Sequence, residues 1–331
     1  MKILFFAFLF VISAKVKSQD ASFSQFYAAP LFTSPSFAGA TEGSRVVLNY
    51  RDQWSKFPRS FVTYSASVDH YIRSLKSGLG LMFYKDQAGT GRLGTTLAGF
   101  NYSYSVQINR KWTARPGLSF VYHQRNVDWN KQKFVDQLYH GGGSNAIQYF
   151  EDSLVNFLDF SSSALFYSNK YWIGTTFDHM LKSNQSFLGD KSDVPLKFTA
   201  FAGGKIDINK RLGRFNEESF TINILYQRQA KYNQLVTGGY WYKAPLVLGV
   251  WYRGIPFIKN SQYNVSYRDA AIFLVGYKTQ IISVGYSYDF TISNLMGDTG
   301  GSHEVSVIYE FNQNPNVKMK KKRNMISCPK F

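Results

Sequence analysis

Ten residues near the end of the chain, Ser302 to Phe311, alternate by chemistry. Val305, Val307, Tyr309 and Phe311 are apolar, whereas Ser302, Glu304, Ser306 and Glu310 are polar; Ile308 breaks the order. Successive side chains of a strand point to opposite faces. One face therefore suits an apolar medium and the other suits water. The apolar row ends on Tyr309 and Phe311, and a polar tail follows. The last strand of an outer-membrane barrel has this form, with an aromatic girdle residue closing the lipid-facing band at the periplasmic rim.

The pattern recurs upstream. Ile282, Val284, Tyr286, Tyr288 and Phe290 oppose Ser283, Gly285, Ser287 and Asp289. Val62, Tyr64, Ala66 and Val68 oppose Thr63, Ser65, Ser67 and Asp69, and Phe220, Ile222, Ile224 and Tyr226 oppose Thr221, Asn223 and Gln227. The alternation predicts fourteen strands, at 44–51, 61–70, 77–85, 93–107, 113–123, 160–168, 171–179, 196–205, 220–229, 233–242, 244–252, 270–278, 281–289 and 302–311. An even number places both ends of the strand run on the periplasmic side. The gaps after odd strands, among them 52–60, 124–159, 180–195 and 253–269, are then outer loops, and most gaps after even strands are short turns. Two connections run against this rule: 206–219 is long for a turn and 230–232 is short for a loop. The reading is an all-β fold, a transmembrane antiparallel outer-membrane β-barrel of fourteen strands with short periplasmic turns and longer extracellular loops.

Composition agrees. Past the N-terminus no run approaches the ~18 apolar residues of a spanning helix. Yet aromatic residues make up 18% of the chain, with 29 Phe and 23 Tyr, and a barrel places such residues on its lipid face and in two girdles. Residues 1–18 read as a secretory signal: Lys2, an apolar run from Ile3 to Val11, and the small residues Val16 and Ser18 before a cut that leaves Gln19 first. Residues 19–43 carry Phe23, Phe26, Tyr27, Phe32 and Phe37 but are interrupted by Pro30 and Pro35. That excludes a regular strand and predicts a periplasmic or lumenal segment in or under the barrel mouth. Residues 44–311 form the barrel, and 312–331 form a basic periplasmic tail.

The formal charge of +17 includes Lys2, Lys15 and Lys17 of the signal and six cations after Phe311. The remainder suits contact with the phosphate-rich headgroups of outer-membrane lipid. A secreted barrel has no call for nucleic acid. The single cysteine, Cys328, excludes an internal disulfide framework and a multi-cysteine metal site. The five histidines supply no catalytic pair in sequence: His70 next to Asp69 and His303 next to Glu304 point to opposite faces of their strands. No nucleophile elbow, zinc-protease motif or phosphate loop occurs. No catalytic, cofactor-binding or metal-binding residue is therefore assigned, and the chain reads as a non-enzyme.

Two stretches are candidate partner contacts. Arg51, Asp52 and Trp54 lie where the first strand leaves the membrane. They suit either a girdle with a solvated ion pair or a contact surface for cargo. In the tail, Lys320, Lys321, Lys322 and Arg323 form either a solvated arm or an electrostatic dock for an acidic periplasmic partner, which salt would weaken.

The stretches QDASFSQFYAAPLFTSPSFAGA, RVVLNYRDQWSKFP, FVTYSASVDHYI, SGLGLMFYKDQAGTG, VGYSYDFTISNL, GSHEVSVIYEF and the terminal ISCPKF resemble the PorP/SprF family, type IX secretion system membrane proteins of Bacteroidetes. The resemblance implies a multi-pass barrel of the Gram-negative outer membrane. Such a barrel works with other type IX secretion components and with secreted surface proteins, assisting export or attachment of cargo such as gliding adhesins. It supplies no catalytic residues. A transporter or porin for a small or hydrophobic solute is the alternative that the barrel architecture leaves open.

Overall fold

The computed structural model describes residues 20–41, 43–57, 61–89, 93–129, 154–187, 190–209, 217–260, 265–293 and 297–311. The signal at 1–18, the tail with Lys320, Lys321, Lys322, Arg323 and Cys328, and most of the longest loop lie outside these residues. The strands are β1 (Ser44–Gln53), β2 (Phe61–Ile72), β3 (Ser77–Ala88), β4 (Leu93–Tyr104), the two-residue β5 (Val106–Gln107), β6 (Thr113–Asn126), β7 (Leu154–Tyr167), β8 (Tyr171–Asp178), β9 (Lys197–Asn209), β10 (Glu218–Gln229), β11 (Tyr232–Lys243), β12 (Leu246–Asn260), β13 (Val265–Lys278), β14 (Ile282–Thr291) and β15 (Ser302–Phe311).

Each long strand pairs antiparallel with the next, and β4 pairs directly with β6. The sheet closes where β1 pairs with β15 along its whole length, from Ser44 opposite Phe311 to Gln53 opposite Ser302. The result is a closed barrel of fourteen long strands. Closure leaves no exposed sheet edge between first and last strand, as a lipid-embedded sheet requires. No helix among the described residues is long and apolar enough to cross a membrane.

The alternation sorts the faces. On β15, Val305 and Tyr309 are exposed, while Ser302, Glu304, Ser306 and Ile308 are buried inside. The one residue that broke the polar row, Ile308, belongs to the lumenal core. Outward rows elsewhere expose Leu48, Tyr64, Leu81, Phe83, Phe120, Ile222, Ile224, Val250, Phe273 and Val284. A lipid-facing band explains this much exposed apolar surface.

Three strands run five or more residues further than the alternation predicts. β7 begins at Leu154 rather than 160 and follows β6 to Asn126. Its first residues, Leu154, Val155, Phe157 and Leu158, are apolar on both faces, so the period is hidden. β12 continues to Asn260 past a register shift at Gly254, and β13 starts at Val265. Pro256 and the shift conceal the extension in sequence. β10 and β11 are joined across Ala230 and Lys231, with Ala230 at φ 51°.

Candidate functional site

Residues 20–41 lie inside the barrel. Three short helical turns, Phe26–Ala28, Pro30–Thr33 and Pro35–Phe37, replace a strand because the prolines remove ladder donors. Phe23, Tyr27, Leu31 and Phe37 are nearly fully buried in one cluster with inward Tyr84, Leu165, Trp172, Phe201, Tyr240 and Trp251. Tyr27 stacks on Trp251 at 5.0 Å, and Phe32 stacks on Tyr84 at 5.3 Å. Each ring removed from water contributes about 1.5–3 kcal/mol. The wall is cut back to admit this plug. A Cβ on Gly78 would sit 1.9 Å from the Ala38 carbonyl oxygen, and one on Gly117 would sit 2.3 Å from the Ser36 nitrogen.

The plug descends from the outer half of the lumen, where Asp20 meets the outer ends of β8, β9 and β10, to the rim where β1 begins. Three polar clusters hold it. In the first, Arg51 of β1 donates to Glu304 Oε2 of β15 at 3.0 Å, to Asp289 Oδ2 of β14 at 2.9 Å, and to Ser24 Oγ of the plug. Arg253 of β12 donates to the same Asp289 oxygen and to Ser24 Oγ, both at 2.9 Å, and also pairs with Asp269. Glu304 accepts the backbone N–H groups of Ser24 at 2.8 Å and Gln25 at 2.9 Å. The Gln25 side chain donates to Ser287 and accepts from Ser306. Buried charges need this saturation, because removing them from water costs several kcal/mol per ion.

The second cluster lies near the start of β1. Arg45 pairs with Asp69 at 2.9 Å, and Asp69 accepts the Gly39 N–H at 2.8 Å. Arg115 donates to the carbonyls of Ala38 at 2.7 Å and Gly39 at 2.9 Å. The Ser36 and Ser163 hydroxyls meet at 2.6 Å. The third cluster lies at the outer end of the plug. His179, just past β8, is flanked by Asp159 Oδ2 at 2.5 Å on Nδ1 and by Asp20 Oδ2 at 2.8 Å on Nε2. Facing two acceptors, both ring nitrogens donate. Burial alone would lower the imidazole pKa, but the carboxylates of Asp20 and Asp159 outweigh it and push it up to about 10. Burial alone would raise the Asp20 carboxyl, yet His179 and Lys197 hold it well below the usual carboxylate range.

On the outer side of the plug lies a cavity of about 640 Å³, lined by both charges and rings, including Arg51, Trp54, Tyr84, Arg125, Phe157 and Lys197. It is large enough for several side chains of a bound segment.

The model of type IX secretion system membrane proteins PorP/SprF matches residues 15–309. The chain belongs to the PorP/SprF family. No curated protein matches. Among solved structures, the chain is similar to the KdgM porin at 8% identity, covering 81% of this chain and 99% of that one with a TM-score of 0.38. It is also similar to the CymD monoaromatic hydrocarbon channel at 13% identity, covering 86% and 93%, with a TM-score of 0.45. This PorP/SprF protein is thus an outer-membrane barrel and a membrane component of type IX secretion.

Of the residues singled out in sequence, Arg51 is 2% exposed and its side chain faces the lumen. Asp52, its neighbour on β1, points the other way and lies opposite His303 of β15. Trp54 follows the strand at φ 64°, packs edge-on against Phe57 and Phe61, and reaches the cavity. Arg51 and Trp54 thus line the same cavity, whereas Asp52 lies on the other face of β1. Sequence reading missed Asp289, Glu304 and Ser24 as partners of Arg51, with Arg253 and Gln25 bonded to the same groups, and missed the grouping of Asp20, His123, Asp159 and His179. The available signal was the inward row of each strand: Asp69, Asp289 and Glu304 all sit among the serines of a lumenal face.

Proposed function

We propose that this PorP/SprF barrel is a non-enzymatic component that assists export or surface attachment of type IX cargo proteins such as gliding adhesins. The observation that carries the reading is the lumen: its own residues 20–41 fill it and are bonded to the wall at three levels. A solute porin needs a continuous aqueous path, and this plug stands in its way. Support comes also from the family, whose members associate with other secretion components. On this reading the cavity and Trp54 at the outer mouth receive a segment of a secreted protein, Asp52 adds a charge at the rim, and Lys320, Lys321, Lys322 and Arg323 dock on acidic periplasmic partners. The outward apolar rows contact lipid. The test is to delete the gene and compare surface proteomes. Loss of one or more type IX cargoes with permeability unchanged is the expected result. An unchanged surface proteome alongside lost uptake of a defined solute would favour the transporter.

A further inference from the structure

Four side chains converge at the outer end of the plug: His123 of β6, Asp159 of β7, His179 after β8, and Asp20 of the plug itself. The ligand atoms of His123, Asp159 and His179 all lie within 4.8 Å of one another, and all three residues are buried. Asp20 lies on the other ring nitrogen of His179, accepting from Nε2 at 2.8 Å. We propose that His123, Asp159 and His179 bind a single divalent transition-metal cation of the zinc type on the barrel wall, beside the outer end of the plug.

Three observations support the assignment. First, the donor set is two imidazoles and one carboxylate, with the fourth position left for water, which suits zinc and its neighbours rather than magnesium or calcium. Second, His123 is idle as the structure stands. It is 7% exposed and makes no hydrogen bond among the described residues. Its ring stacks on Phe157 at 4.7 Å, which fixes its plane. Its Nε2 stands 3.8 Å from Asp159 Oδ2, too far for a hydrogen bond. Two ligands of a tetrahedral zinc at about 2.0–2.1 Å stand roughly 3.3–3.4 Å apart, so this pair needs to close by only a few tenths of an ångström to hold a cation. Third, the site borders the cavity at the outer mouth, where Asp20, His123, Asp159 and His179 all contribute to the lining. That gives an ion a path in. With the ion on the Asp159 side of the His179 ring, Asp20 stays the acceptor on Nε2 that fixes the ring from the outer shell. The bound metal would tie His179 to β6 and β7 and, through its Nε2 bond, hold Asp20 at the outer end of the plug.

The test uses tag-free barrel purified in detergent and titrated with Zn²⁺ by calorimetry, with Co²⁺ absorption as a second probe. One saturable Zn²⁺ per barrel is expected, with the strong visible Co²⁺ bands of a tetrahedral site. His123→Ala should weaken binding at least tenfold. It breaks no hydrogen bond, so heat-modifiable migration should be unchanged. Asp159→Asn should weaken binding similarly and serves as the second variant if His123→Ala fails to assemble. His70→Ala and His303→Ala, far from the cluster, should bind as wild type does. Absence of saturable binding in the wild type overturns the proposal. So does undiminished binding in assembled His123→Ala and Asp159→Asn.

Discussion

Arg51 and Val307 show what a single position does in this barrel. Arg51 neutralises Glu304 and Asp289 across strand closure, with side chains 2% exposed or less. Arg51→Ala strands two buried carboxylates with less counter-charge, and breaking such a pair costs about 3–5 kcal/mol. The barrel should still insert, but residues 20–41 should become cleavable by protease in detergent-solubilised protein. A plug as resistant as in the wild type would show that Arg51 does not hold it. Val307 faces the opposite medium. Val307→Arg puts a charge on the lipid-facing row, at ~2–4 kcal/mol near the midplane, and should lower the heat-modifiable fraction in membranes. If Val307→Arg assembles as readily as wild type, this row does not face lipid. The identity of each face was legible at this scale because period two is local. The partners were not. Arg51 and Glu304 stand 253 positions apart, and no local pattern records which inward acid meets which inward base.

Among the elements, the plug depends on space left in the wall. Gly78 and Gly117 keep the approach of Ala38 and Ser36 open. Gly78→Val should therefore unseat residues 36–40 while β3 keeps its pairing, since valine is well accepted in strands. Limited proteolysis checks this: faster cleavage within 20–41 with unchanged heat modification is expected, and an unaltered pattern would contradict it. The rings of residues 19–43 told of burial in the sequence, but not of the lumenal neighbours Tyr84, Trp251 and Phe201. Those rings sit on three distant strands, among many aromatics of a lipid-facing protein. Strand ends were legible where polar and apolar residues alternate cleanly, as on β14 and β15. They were obscured where both faces are apolar, as at the start of β7. At the other end of the chain, deleting 317–331 should leave the barrel assembled and reduce co-purification of periplasmic partners, most at low salt. Equal recovery of the same partners would make the tail a solvated arm.

As a whole the molecule is a closed barrel whose lumen is occupied by its own N-terminal segment, with a cavity left on the outer side. Fold and compartment follow from the alternation, and the family from the match over residues 15–309. Which groups meet in the lumen follows from closure, which brings β1 beside β15, and from the path of the plug across the inward rows. The most direct measurement is a covalent one. Ser36 of the plug and Ser163 of β7 have hydroxyl oxygens 2.6 Å apart, close to the geometry of a disulfide of about 2.05 Å. In a Cys328→Ser background, Ser36→Cys combined with Ser163→Cys should form an intramolecular disulfide in cells, found by mass spectrometry of the heat-modifiable barrel. Near-complete linkage is the predicted result. Two free thiols in a fully assembled barrel would mean that residues 20–41 do not occupy the lumen.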